Sequence, residues 1–124
     1  MWTIFFSIGS LLSAAAVGLG AFGAHALKGR LTPEDFAIFD TASRYLGMQS
    51  LGILGFSLLM ARLDALPLKV GAFALTSGTL IFSGSLYILI FTGIRSWGAV
   101  TPIGGLLLIV GWLLGSWSAL SANW

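Results

Sequence analysis

Charge is the scarcest property of this chain. Asp, Glu, Lys and Arg make up 8% of its 124 residues, ten side chains in all, where a soluble domain carries about 25%. Cysteine is absent, which excludes disulfides, thiolate metal centres and thiol nucleophiles and leaves the redox compartment open. Histidine occurs once and proline three times. Six basic groups against four acidic ones, a net charge of +2, are too few and too scattered for a nucleic-acid footprint. What is present is apolar: hydrophobic types reach 57%, mean hydropathy is +0.99, and seventeen glycines and five tryptophans accompany them. A soluble domain this short buries only about two-thirds of the surface its unfolded chain exposes. That is too little to hide so much apolar area, so most of the chain must meet lipid.

The charges divide the chain into uncharged segments of 27 residues before Lys28, 17 between Arg44 and Arg62, 25 between Lys69 and Arg95, and 29 after Arg95. Crossing a hydrocarbon core of about 30 Å takes roughly 17 to 25 apolar residues as a helix. Backbone groups in lipid must bond within their own segment, and four strands cannot close a barrel. The expected architecture is therefore a single all-α domain, residues 1–124, a bundle of four transmembrane helices with spans near 2–27, 45–61, 68–92 and 98–120. Ala24-His25-Ala26 imitates a signal-peptidase site. The first segment, however, lacks a basic start and runs well past the roughly 7 to 15 apolar residues of a leader, so it reads as a span.

Thr32-Pro33-Glu34-Asp35 supplies a capping hydroxyl, a proline suited to the first helical position and two carboxylates at the positive end of the helix dipole, so a helix starts at Pro33. Over 33–44, Phe36, Ile38 and Phe39 accompany an Asp40 and Arg44 pair one turn apart. This segment reads as an amphipathic, interfacial start that runs into the second span. Pro67 and Thr101-Pro102 mark the starts of spans three and four in the same way. Lys28, Arg30, Arg44 and Arg95 fall on one side of the membrane, Arg62 and Lys69 on the other, which favours both termini outside. Trp2, Trp97, Trp117 and Trp124 lie near span ends, where indole rings prefer the headgroup layer.

Helices in lipid associate through close approach of small residues and through hydrogen bonds. Stripes that meet this need are Ser7, Ser10, Ala14, Gly18, Ala21 and His25 on span one; Thr41, Tyr45, Gln49 and Gly52 on span two; and Thr76, Thr79, Ser83 and Tyr87 on span three. Span four carries Thr101, Gly104, Leu108, Gly111, Gly115 and Ser118. Gly18, Gly20 and Gly23 form a G-x-G-x-x-G string with Asp40 downstream, but a dinucleotide site needs a strand before it and a helix N-terminus after it. Here the glycines sit late in a helix of lipid length, and they read as packing positions together with Gly104, Gly111 and Gly115. His25 is the one readily titratable group inside a span, which makes it a functional candidate by placement. Tyr45 and Gln49 on the returning helix are its expected hydrogen-bond partners, and with Ser83 and Tyr87 they form a candidate polar cluster. One imidazole without thiols or carboxylates nearby is no metal site, no serine has a visible base, and no catalytic set can be assembled.

Four blocks resemble the signatures of the DUF423 family, small bacterial inner-membrane proteins similar to the eukaryotic transmembrane protein 256. They are Gly20 to Leu27, Thr41 to Leu54 around Tyr45, Phe82 to Tyr87, and Thr101 to Gly105, in the family's order and over most of the chain. The resemblance implies a four-helix inner-membrane protein without an established activity. It also leads us to expect a histidine four residues after Tyr45, where this chain has Gln49. Glutamine can replace a hydrogen-bonding histidine but not a metal-binding or proton-transferring one. The expectation is thus a non-enzymatic scaffold or accessory subunit without a cofactor. Its expected partners are the bilayer and another membrane protein or a second copy, never nucleic acid. The alternative is a small channel or transporter that passes protons or a small solute by way of His25.

Overall fold

A computed structural model describes residues 1–123; Trp124, expected near a span end, lies outside them. The described chain is all-α. Helix α1 covers Trp2–Phe22 and continues into a wider π-helical turn at Gly23–Leu27. Helix α2 covers Pro33–Met60, α3 Leu66–Thr92 and α4 Thr101–Ser121, with a short 3-10 turn at Arg95–Ala99 before α4. Three helical stretches are long and apolar enough to cross a membrane: Trp2–Leu27, Leu66–Thr92 and Arg95–Ser121. The second helix is long enough but more polar; its charged residues, up to Arg44, lie in its first half, and in the uncharged stretch beyond them Gln49, Ser50 and Ser57 are all buried.

Local chemistry explains most boundaries. The Thr32 hydroxyl accepts from the Asp35 backbone N–H at 3.1 Å, Pro33 opens the helix, and Asp40 pairs with Arg44 at 3.1 Å. No break separates the interfacial start of α2 from the remainder, so its 28 residues form one rod about 42 Å long. The turn before it contains Gly29 at φ 89, and Gly93 at φ 71 ends α3, two left-handed positions that side chains with a Cβ avoid. Thr101 departs from the expected cap. It lies in the first turn of α4 after Val100, and its hydroxyl meets Ser85 at 2.6 Å instead of bonding its own helix end.

Each helix runs antiparallel to the one before it: α1 packs on α2, α2 on α3 and α3 on α4. Gly47, Ser50 and Leu54 turn toward α1, whereas Gln49, Gly52 and Phe56 turn toward α4. These are opposite faces of α2 at 3.6 residues per turn, which sets α1 and α4 on opposite sides of the central helices. Phe5, Ile53, Phe56, Leu68, Ala72, Leu75 and Leu108 make the core, with Phe5 edge-on to Phe73 at 5.0 Å and Phe56 edge-on to Trp112 at 5.4 Å.

Backbones approach most closely between α3 and α4. A methyl group at Gly104 would stand 2.5 Å from the Phe82 nitrogen, one at Gly78 2.9 Å from the Gly104 oxygen, and one at Gly111 3.0 Å from the Gly71 oxygen. Gly71 and Gly78 repeat at the same two-turn step as Gly104 and Gly111, so two glycine rows face each other along the pair. Gly23 and Gly115 make room instead for aromatic rings, those of Phe39 and Phe56. Gly18 and Gly20 have nothing near them. The span-one stripe of Ser7, Ser10, Ala14, Gly18, Ala21 and His25 faces outward throughout. Helix α1 packs through Phe5, Gly9, Leu12, Ser13 and Ala16, because that face joins bulky core residues to a hydroxyl that can reach Ser50.

Candidate functional site

The interior polar groups are distributed over the helix interfaces, with α2 at the centre. Between α1 and α2, the Ser13 and Ser50 hydroxyls lie 2.9 Å apart. Ser50 donates its one proton to the Gly47 carbonyl at 2.8 Å, so Ser13 is the donor of the pair. Between α2 and α3, the hydroxyls of Ser43 and Tyr87 meet at 2.7 Å, and Ser83 donates to the Ala42 carbonyl at 2.8 Å. Between α4 and α2, the Trp112 indole N–H donates to Gln49 Oε1 at 2.8 Å. Ser85 gives its proton to the Phe82 carbonyl and accepts from Thr101, joining α3 to α4.

The five residues of the expected polar cluster therefore do not converge on one point. Ser83 and Tyr87 are one turn apart on α3 and bond adjacent residues of α2. Tyr45 lies against the Phe82 ring at 4.6 Å, and Gln49 turns to Trp112. His25 stands exposed on the π-helical turn, away from Tyr45 and Gln49. That turn is closed by the Lys28 N–H on the Gly23 carbonyl at 3.0 Å, and it places the Gly20 to Leu27 block at the end of α1 where the chain reverses. Among the described residues, no three of His, Cys, Asp and Glu come together in a way that could hold a metal ion.

Three participants escape sequence reasoning. Trp112 carried a signal, being the one tryptophan away from the span ends, where an indole N–H needs an acceptor inside the protein. Ser43 adjoins Arg44 and reads as part of the polar start of α2. The third is an ion pair between two helix connections: the carboxylate of Asp35 accepts from both terminal nitrogens of the Arg95 guanidinium, at 2.9 and 3.3 Å, tying the start of α2 to the turn before α4. Sixty positions separate the two residues, and nothing local announces their pairing.

Long apolar helices, polar side chains paired between helices and charges gathered at the ends define a helical membrane protein. The family model described as "Protein of unknown function (DUF423)" matches residues 19–105, and the chain belongs to that family. It is 40% identical over 111 residues to a UPF0382 membrane protein of Staphylococcus epidermidis, covering 90% of both chains. To the UPF0382 membrane protein YwdK of Bacillus subtilis it is 35% identical, over 90% of this chain and 91% of the other. The UPF0382 inner membrane protein YgdD of Escherichia coli is 38% identical over 79% of this chain and 75% of its own. No solved structure matches.

Proposed function

We propose that this chain is a four-span inner-membrane protein with both termini outside, and that it serves as a non-enzymatic scaffold or accessory subunit packed against another membrane protein or a second copy. The reading of α2 as the fourth span rests on where its polar groups lie. Its stretch from Tyr45 to Met60 carries no charge, and the side chains that lower its hydropathy are the ones buried against neighbouring helices. Four basic side chains in or flanking the first and third connections, against two around the second, support the orientation.

The observation that carries the accessory role is the outward face of α1. Ser7, Ser10, Ala14, Gly18 and Ala21 offer a second helix the close approach that association in lipid requires, and they are not used within the chain. The inner-membrane relative is consistent with the location. The transport alternative has less support, because Gln49, Ser83 and Tyr87 already bond across helix interfaces away from His25. Gly18→Leu tests the role, since Gly18 is exposed and a Cβ there meets no atom within 4 Å, so the leucine is directed away from the chain's own packing. Extracted from native membranes in mild detergent, the wild type should carry a stoichiometric partner or a second copy, and Gly18→Leu should lose it. Recovery of the wild type as a bare monomer refutes the proposal.

A further inference from the structure

An open groove of about 320 Å³ lies between α1 and α2. Ala16 and Val17 form one wall, Gly47 and Leu51 the other, and Arg44 stands at one end. Two hydroxyls also reach it, but Ser13 is bonded to Ser50 and Ser43 to Tyr87, so the remaining lining is apolar. Such a surface suits a hydrocarbon chain and not a polar solute.

Arg44 gives the groove a polar end. It is the last charged residue before α2 enters its uncharged stretch, and Leu51 lies seven residues, about 10 Å, further along the helix axis. On the four-span reading, on which this inference rests, the groove runs from headgroup level into the hydrocarbon. The Arg44 side chain is 66% exposed, and its guanidinium Nε meets Asp40 at 3.1 Å. That contact orients the group through one nitrogen and leaves its outer pair to take two oxygens of a phosphate. Exposed Lys28 and Arg30, in the connection at the same end of the molecule, add to the positive field there. We infer that the α1–α2 groove binds an anionic phospholipid, its phosphate on Arg44 and one acyl chain along Ala16, Val17, Gly47 and Leu51. A helix is about 10 Å across and can only bridge over this groove, whereas an alkyl chain enters it.

The test uses the full chain in mixed micelles holding equal phosphatidylglycerol and phosphatidylcholine, with retained lipid counted by native mass spectrometry. The wild type should keep one phosphatidylglycerol, favoured about five- to tenfold over phosphatidylcholine. Arg44→Gln should bring that ratio to one and Arg44→Lys should keep most of it, while Gly47→Leu, which fills the groove, should lose both lipids. The inference is overturned if Arg44→Gln leaves the ratio unchanged or if Lys28→Gln lowers it equally, as a diffuse charge field would. It is also overturned if the wild type gives a dimer mass in place of the lipid adduct. Arg30→Cys and Arg62→Cys, in a chain without native thiols, report separately on topology. Labelling from opposite sides supports the span, and labelling from one side refutes the span without touching the lipid count.

Discussion

Replacing Gly104 by alanine puts one methyl group where α3 and α4 are closest. That carbon would stand 2.5 Å from the Phe82 nitrogen, 2.8 Å from the Phe82 Cα and 2.9 Å from the Gly78 oxygen. All three are backbone atoms within α3, so none can rotate aside. Ordinary contact distances are about 3.5 to 4.0 Å, so the helices must part by about 1 Å at this level, and a gap of that size forfeits about a quarter to a half of each atomic contact. Overpacking generally costs about 1–3 kcal/mol, and rigid neighbours place Gly104→Ala near the top, at about 2–3 kcal/mol. Gly18→Ala is the matched control, because its methyl meets nothing. Helix propensity alone then acts, so that variant should be unchanged or more stable by up to about 1 kcal/mol. Titration with SDS from a mild detergent, followed by tryptophan emission, measures both, since Trp112 packs against Phe56 and Gln49 and senses separation. Equal midpoints for Gly104→Ala and the wild type, or an equal loss for Gly18→Ala, would refute the close-approach argument.

Gln49→Leu should cost about 0.5–1.5 kcal/mol in the same titration by leaving the Trp112 N–H without its acceptor. Gln49→His, which keeps an acceptor, should retain more stability than Gln49→Leu; the reverse order would show that the bond contributes nothing. Asp64 lies beside Lys69 in the connection between α2 and α3, and the hydrogen bond from that lysine, aided by its charge, holds the carboxyl below its ordinary value. A depressed folded value stabilises above the unfolded one and is lost as pH falls through the folded one, so the small stabilisation that Asp64→Asn removes should be present at neutral pH and low salt and should vanish as pH falls below about 4. A difference that persists at low pH, or that high salt leaves unchanged, would refute that origin. Arg95→Gln should loosen the turn before α4 slightly, with an effect that shrinks as salt rises, because the guanidinium is mostly exposed. Hydrogen exchange at Trp97 and Gly98 measures it, and no change at low salt would dismiss the bridge.

Sequence alone determined the parts of this protein that depend on neighbours in the chain. The scarcity and grouping of charge located the uncharged stretches, because a charge in hydrocarbon is costly wherever it falls. The start of α2 at Pro33 followed from a hydroxyl, a proline and two carboxylates within four residues, and the Asp40 and Arg44 pair from one helical turn. The packed face of α1 did not follow, although on α4 the expected Gly104, Leu108, Gly111, Gly115 and Ser118 are the buried residues. In a chain apolar all round, no contrast between wet and dry sides marks the packed face, and α1 offers two stripes of small residues. Only tertiary structure decided between them, by bringing Ser13 to Ser50 and Gly9 to Leu54. It also decided that Gln49 answers Trp112 instead of His25, and that Asp35 answers Arg95 across sixty positions. Those pairings depend on the separation and register of whole helices. The glycine rows of α3 and α4 and the opposite faces of α2 set both, and neither is expressed within one turn of sequence.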